Sequence, residues 1–225
     1  MTSATQIDWK IPLTLLVLSA IPIVAGIARL AGLAGNAAIS PENARFVAQP
    51  LPVILHIIGA SLFSILGALQ FSTQLRLRKP AWHKISGRIA GASGIVCALS
   101  GLWMTIGYPI PPELQGNLLY AVRIVVSFAM LASIVLSVNA ARRQEFTKHR
   151  AWMIRAYALG QGAGMQAVVL LPWMLVMGTP STLQRDLLMS LAWLINLFVA
   201  KSVIRSWPTR SASPARGFLN IHGSH

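Results

Sequence analysis

Long apolar stretches alternate with short polar connections along the chain. Six such stretches are present, at 11–33, 51–75, 85–108, 117–140, 152–177 and 183–204. A helix needs about 20 consecutive, mostly apolar residues to cross the hydrocarbon core of a bilayer. The pattern therefore predicts an all-α fold, a polytopic membrane helix bundle of about six transmembrane helices. Residues 1–206 would form a single membrane domain, and the Ser-, Pro- and Arg-rich segment 207–225 a disordered tail.

Positive charge is distributed unevenly among the connections. The second and fourth connections are rich in cations, as is the tail, whereas the first, third and fifth carry almost none; the cations in and around the two basic connections are Arg76, Arg78, Lys79, Lys84, Arg88, Arg142, Arg143, Lys148 and Arg150. Connections rich in Lys and Arg stay on the cytoplasmic side of a membrane. Both the N and the C terminus are therefore predicted to be cytoplasmic.

Composition excludes several classes of protein. Of the 225 residues, 55% are hydrophobic and only 11% are charged, which is typical of a chain partnered by the lipid bilayer. The net charge of +14 does not indicate nucleic-acid binding, because the cations sit between apolar runs rather than on a basic face with polar readers. The single cysteine, Cys97, excludes an intrachain disulfide and a multi-cysteine metal site.

Acidic residues are few and lie in predicted loops or at helix ends; they are Asp8, Glu42, Glu113, Glu145 and Asp186. Ion-coupled carriers rely on acids inside the membrane, so this distribution disfavours that class. No nucleophile motif of a serine hydrolase is present either. The sequence leaves open whether the protein is an enzyme.

Two histidines are predicted to share a depth at the cytoplasmic boundary. His83 and His149 stand near the starts of the third and fifth spans, and imidazoles on different helices can ligate one haem iron from its two faces. Arg88 and Arg155 are placed to neutralise the haem propionates. The sequence thus predicts a candidate site for haem b. An ordinary interfacial belt of histidine, cations and tryptophan explains the same pattern, and both interpretations stand at this point.

A second candidate site is predicted near the outer boundary. His56 lies inside the second span, where an imidazole requires a hydrogen bond or a ligand. Tyr120 and Arg123 begin the fourth span at a similar depth, and an arginine there suggests an anionic or carbonyl partner such as a lipid or quinone head group. The alternatives are hydrogen bonding of His56 to a neighbouring helix and snorkelling of Arg123 to the interface.

Small residues recur at helical spacing in two spans, namely Gly87, Gly91 and Gly94 in the third and Gly160 and Gly164 in the fifth. Glycines at such spacing let helix backbones approach closely. Close packing is the favoured interpretation, and a glycine face that holds a flat cofactor is the alternative.

These residues together resemble a family of bacterial integral membrane proteins, the one catalogued as domain of unknown function 2306. The resemblance runs over about 51–171 and rests on His56 with Gly59, on His83, Gly87 and Arg88, and above all on the segment from His149 to Leu159, HRAWMIRAYAL. It implies a multi-pass protein of the bacterial inner (plasma) membrane. The histidines at helix ends also resemble, more loosely, those of membrane b-type cytochromes and ferric reductases, which implies electron transfer.

Two hypotheses of function follow. In the first, the protein is a haem-binding membrane redox protein, with His83 and His149 as iron ligands and His56 and Arg123 facing a quinone or another membrane redox partner. In the second, it is a non-enzymatic carrier, assembly factor or lipid-binding scaffold whose histidines and arginines hold helices together.

Overall fold

The structure is a computed structural model that describes residues 9–35 and 38–206. Those residues form nine helices: α1 (Lys10–Ala34), α2 (Ala44–Ala48), α3 (Pro50–Gln70), α4 (Thr73–Arg78), α5 (Pro80–Gly107), α6 (Asn117–Arg142), α7 (Phe146–Gly160), α8 (Gly162–Met177) and α9 (Thr182–Ser206). No strand occurs in the described ranges, so the predicted all-α fold is confirmed. The predicted tail at 207–225 lies outside the described residues.

Length and hydropathy make the protein a multi-pass membrane protein. Five helices are long and apolar enough to cross a bilayer, namely α1, α3, α5, α6 and α9, and the bent pair α7 and α8 makes a sixth if it is one span. The orientation of the bundle in the membrane stays a prediction. The end formed by residues 38–49, 108–116 and 178–181 is called the outer end below, and the end formed by 71–79 and 143–149 the inner end, following the predicted topology.

Two predicted boundaries were wrong. The second span ends at Gln70, and the residues up to 75 belong partly to the separate helix α4, whose first turn is capped by Ser72 accepting a hydrogen bond from the Leu75 amide. The third span begins at Pro80 rather than at residue 85, because proline is well tolerated in the first turn of a helix. The sequence prediction used hydropathy alone, so it began the third span where the apolar residues become continuous, at residue 85.

The sequence predicted one continuous span at 152–177. The structure instead has two helices there, α7 and α8, which meet at Gln161 with a bend of 41°. The Gln161 side chain is buried and donates hydrogen bonds to the Tyr157 hydroxyl at 2.6 Å and to Ser19 Oγ at 2.9 Å. Tyr157 in turn donates to the Ser64 carbonyl at 2.8 Å. This network ties the break to α1 and α3, so tertiary contacts hold the bend in place.

The core lies where α3, α5, α6 and α7 meet. Phe63 on α3 is 1% exposed and Ile134 on α6 is fully buried, and they belong to one apolar cluster with residues of α5 and α7. A Cβ added at Gly94 would lie 2.8 Å from the Phe63 ring, so α3 and α5 approach more closely than a larger residue would allow. The favoured interpretation of the glycines as packing residues is confirmed at this position.

Candidate functional site

His149 is held in a defined orientation at the inner end. It lies in the first turn of α7, where its Nδ1 is 3.0 Å from the carbonyl oxygen of Ser137 and 2.8 Å from Ser137 Oγ. Because a carbonyl oxygen only accepts hydrogen bonds, Nδ1 carries the proton in that contact. Whenever the ring is neutral, Nε2 is then the unprotonated nitrogen, which is the form in which a histidine ligates iron. Ser137 is fully buried in α6 and fixes the ring position.

His83 approaches the same region from α5. It lies in the first turn of that helix, close enough to His149 and to Arg76 for charge–charge interaction. Its Nδ1 is buried and has no hydrogen-bond partner in the part of the chain that the structure describes. A buried ring nitrogen without a partner is unfavourable, so this position suits a further ligand or partner. The structure thus brings the two predicted inner histidines together.

One position on the face of α5 beyond His83 has open space beside it, namely Gly91, whereas a Cβ on Gly87 would lie 3.1 Å from Gln70 Oε1. Gly87 follows one helical turn after His83 and Gly91 one turn after that. Gly91 is buried, yet a Cβ built on it would meet no atom within 4 Å. A buried position with space beside it differs from Gly94, which packs tightly. The second interpretation of the glycines, as a face against a flat cofactor, is therefore compatible with the geometry at Gly91 alone.

The predicted propionate partners lie in different surroundings. Arg88 is exposed on α5. The guanidinium carbon of Arg155 lies 4.6 Å from the centroid of a Trp152 ring, a cation–π contact within α7. Arg76, which sequence reasoning did not select, is the cation that interacts with His83. Because it belongs to the short helix α4, only the fold brings it to the site.

A cavity of about 430 Å³ opens in the outer half of the bundle. His56 and Arg123, both predicted for an outer site, line it together with Arg45, Arg185 and Gln166. Its remaining lining is mostly apolar and includes Met104, Met130, Met189, Leu159 and Trp193. This volume lies in the range of small-molecule binding pockets. Tyr120, the third predicted residue, does not line the cavity and is 38% exposed.

The His56 ring is anchored to α5. Its Nδ1 lies 3.0 Å from the Cys97 carbonyl oxygen and 3.3 Å from Ser100 Oγ. The carbonyl fixes the proton on Nδ1, so Nε2 of the neutral ring is a hydrogen-bond acceptor. The alternative prediction, that a neighbouring helix satisfies His56, is confirmed for Nδ1. Because His56 also lines the cavity, the prediction that it contacts a ligand at the outer site is compatible with this anchoring.

Three arginines gather at the mouth of the cavity. Arg123 on α6 is within charge–charge range of Arg45, Arg185 and Asp186, and its guanidinium donates a hydrogen bond to Gln115 Oε1. Asp186 is 2% exposed, and its two carboxylate oxygens each accept a backbone N–H at 3.0 Å, from Gly116 and Leu119. The carboxylate therefore caps the start of α6, and its negative charge still acts on Arg123.

Arg45 and Arg185 were missed by sequence reasoning. Arg45 sits in the first polar connection and Arg185 near the start of α9, where a cation is typical of any membrane interface. Burial lowers the pKa of the Arg45 guanidinium, and repulsion by Arg29 lowers it further, with Tyr108 and Glu42 opposing. No local sequence signal separates such an arginine from a solvated one.

No multi-ligand metal site is present among the described residues, since no group of three or more His, Cys, Asp or Glu lies close enough to hold an ion. A haem requires only axial ligands from the protein because the porphyrin supplies the others. Two histidines suffice in number for that cofactor, and His83 lies within charge–charge range of His149.

The protein is therefore a multi-pass helical membrane protein with a histidine pair at its inner end and an arginine-lined cavity at its outer end. The chain matches the family model described as "Predicted membrane protein (DUF2306)" over residues 53–204 and belongs to that family. The match confirms the predicted family and extends beyond the 51–171 on which the resemblance rested. No curated protein and no solved structure matches the chain significantly.

Proposed function

We propose that the protein is a membrane electron-transfer protein that holds a b-type haem at its inner end, with His83 and His149 as axial ligands. One observation carries the proposal. Two imidazoles reach the same region from α5 and α7, and the Nδ1–H of one of them is fixed on the Ser137 carbonyl so that Nε2 is unprotonated. A hydrogen bond of this kind behind a metal-ligating histidine is the usual supporting arrangement in proteins.

Each part of the inner end has a separate task in this proposal. His83 and His149 hold the iron, and the haem supplies reversible one-electron chemistry. Ser137 orients His149 and keeps its ring basic. Arg76, Arg88 and Arg155 provide positive charge for the two propionates, which is needed because the described inner end has Glu145 as its one carboxylate. Gly91 leaves space on the face of α5 that follows His83.

The proposal is tested by loss of bound haem in single variants. Wild type, His83→Ala and His149→Ala are purified from haem-replete cells in the same detergent, and bound haem is measured per mole of folded protein. His56→Ala is the matched control because it is the same substitution at a histidine that lines the outer cavity rather than the inner end. Each inner variant is expected to lose most of its haem, while the control keeps the wild-type amount.

Retention of a full haem content in both inner variants would contradict the proposed ligands. Colourless wild type that reconstitution with haemin leaves colourless would instead favour a carrier, assembly factor or lipid-binding scaffold. In that case the histidine variants should change thermal stability alone.

A further inference from the structure

The cavity in the outer half of the bundle is amphipathic along its depth. Its mouth is formed by Arg45 of α2, Arg185 near the start of α9 and Leu114 of the loop before α6. Its deeper lining includes Met130 and Trp193, which lie well inside α6 and α9. A ligand that fills it would have a charged or polar head at the outer end and an apolar part within the membrane.

The mouth carries an excess of positive charge. Arg45, Arg123 and Arg185 all line the cavity, whereas Asp186 interacts with Arg123 and Glu42 with Arg45. Two carboxylates against three guanidinium groups leave one positive charge uncompensated among these residues. Asp186 is moreover held at the start of α6 by the backbone amides of Gly116 and Leu119. Like charges held together in a medium of low dielectric constant repel strongly unless an anion joins them.

Two donor atoms in this cluster have no hydrogen-bond partner among the described residues. They are Arg45 Nη1 and Arg185 Nε, which are buried and belong to residues that line the cavity. The face of the Arg45 guanidinium also lies 4.4 Å from the centroid of the Phe46 ring, a contact that uses none of its N–H donors. A buried charged donor left without an acceptor is costly, so buried guanidinium groups normally pair with an anion or a carbonyl oxygen. The two orphaned donors come from different helices and line one space.

The number of donors selects the head group. Three guanidinium groups offer more N–H donors than the two oxygens of a carboxylate can accept, whereas a phosphate monoester has three terminal oxygens and up to two negative charges. An oxidised quinone head is neutral and would leave the excess charge uncompensated. The geometry points to the outer cavity as a binding site for the phosphate head group of an amphiphile, with Arg45, Arg123 and Arg185 around the phosphate and the apolar part against Met130 and Trp193.

This site is independent of the proposed haem. His56, and not His83 or His149, is the histidine that lines the cavity, and its Nε2 accepts a hydrogen bond from a hydroxyl or a protonated phosphate oxygen. The arginines belong to the outer end and the haem ligands to the inner end. Loss of one ligand in a variant therefore leaves the other unchanged.

Calorimetric titration of delipidated protein in a non-ionic detergent tests the assignment. The probes are dioctanoyl phosphatidic acid, dioctanoylglycerol, inorganic phosphate and a short-chain ubiquinone. The proteins are wild type, Arg45→Gln, Arg185→Gln and Arg143→Gln. Arg143 is the matched control because it is an exposed cation at the inner end that does not line this cavity and loses the same charge. Each variant is first shown to keep the wild-type elution volume and thermal transition.

Phosphatidic acid is expected to bind wild type and Arg143→Gln alike and to bind Arg45→Gln and Arg185→Gln about tenfold or more weakly, since each lost pair involves a charged hydrogen bond. Dioctanoylglycerol and inorganic phosphate should each bind far more weakly than phosphatidic acid. If inorganic phosphate binds as tightly as phosphatidic acid, the site does not require an apolar tail. If dioctanoylglycerol or ubiquinone binds as tightly, the site does not require a phosphate, and either result overturns the assignment. An equal loss in Arg143→Gln would show only general charge attraction and would also overturn the assignment.

Discussion

At the scale of single residues, backbone carbonyls orient two of the three membrane histidines. His56 donates to the Cys97 carbonyl and His149 to the Ser137 carbonyl, in each case from Nδ1 at 3.0 Å. The anchoring atom belongs to the main chain, so side-chain substitution of the anchoring residue does not remove it. What a substitution at Ser137 can change is the space around the ring, because Ser137 is fully buried.

A pair of substitutions at Ser137 separates these two effects. Ser137→Ala should keep bound haem near the wild-type amount because the carbonyl remains. Ser137→Leu should lose most of the haem because the larger side chain displaces the His149 ring. Haem content per folded protein is the measurement. Equal haem in both variants would show that the position of His149 does not matter for binding.

At the scale of helices, sequence and structure agree where hydropathy decides and differ where tertiary contacts decide. The spans of α1, α6 and α9 follow the apolar stretches within a few residues. The break at Gln161 was not predicted, because no proline interrupts the stretch at that point and the bend depends on hydrogen bonds to Ser19 and Tyr157. Arg45 and Arg185 were missed for a similar reason, since only the assembled bundle turns them toward one cavity.

Two glycines provide a matched test of helix packing. A Cβ at Gly164 would collide with the backbone of Leu18 on α1, whereas a Cβ at Gly91 meets open space. Alanine is favoured over glycine inside a helix at both positions, so this effect cancels when the two variants are compared. Gly164→Ala should therefore destabilise the protein by about 1–3 kcal/mol through overpacking, and Gly91→Ala should leave its stability unchanged or slightly raised. Thermal unfolding in detergent measures the difference, and equal transitions would refute the close approach of α1 and α8.

At the scale of the whole molecule, the two candidate sites occupy opposite ends of one bundle. Histidines and cations of α4, α5 and α7 form the inner end, and arginines of α2, α6 and α9 form the mouth of the outer cavity. If the protein binds a haem at the inner end and an anionic amphiphile at the outer end, its two ligands lie on opposite sides of the membrane. Which ligand lies on which side depends on the predicted topology.

Single cysteines test the topology directly. In a Cys97→Ala background, Glu113→Cys and Arg143→Cys each place one thiol at an exposed position, the first at the outer end and the second at the inner end. A membrane-impermeant thiol reagent should label Glu113→Cys in intact spheroplasts and Arg143→Cys only after permeabilisation. The reverse pattern would invert the bundle and move the proposed haem to the opposite side.

The most direct test of the central claim is the dithionite-reduced minus oxidised absorption spectrum of wild-type protein purified from haem-replete cells. A haem bound by two histidines is expected to give the sharp reduced bands of a low-spin b-type cytochrome, with about one haem per chain. These bands should disappear in the folded variants His83→Ala and His149→Ala. A flat difference spectrum from folded wild-type protein, before and after incubation with haemin, would contradict the claim that the inner end holds a haem.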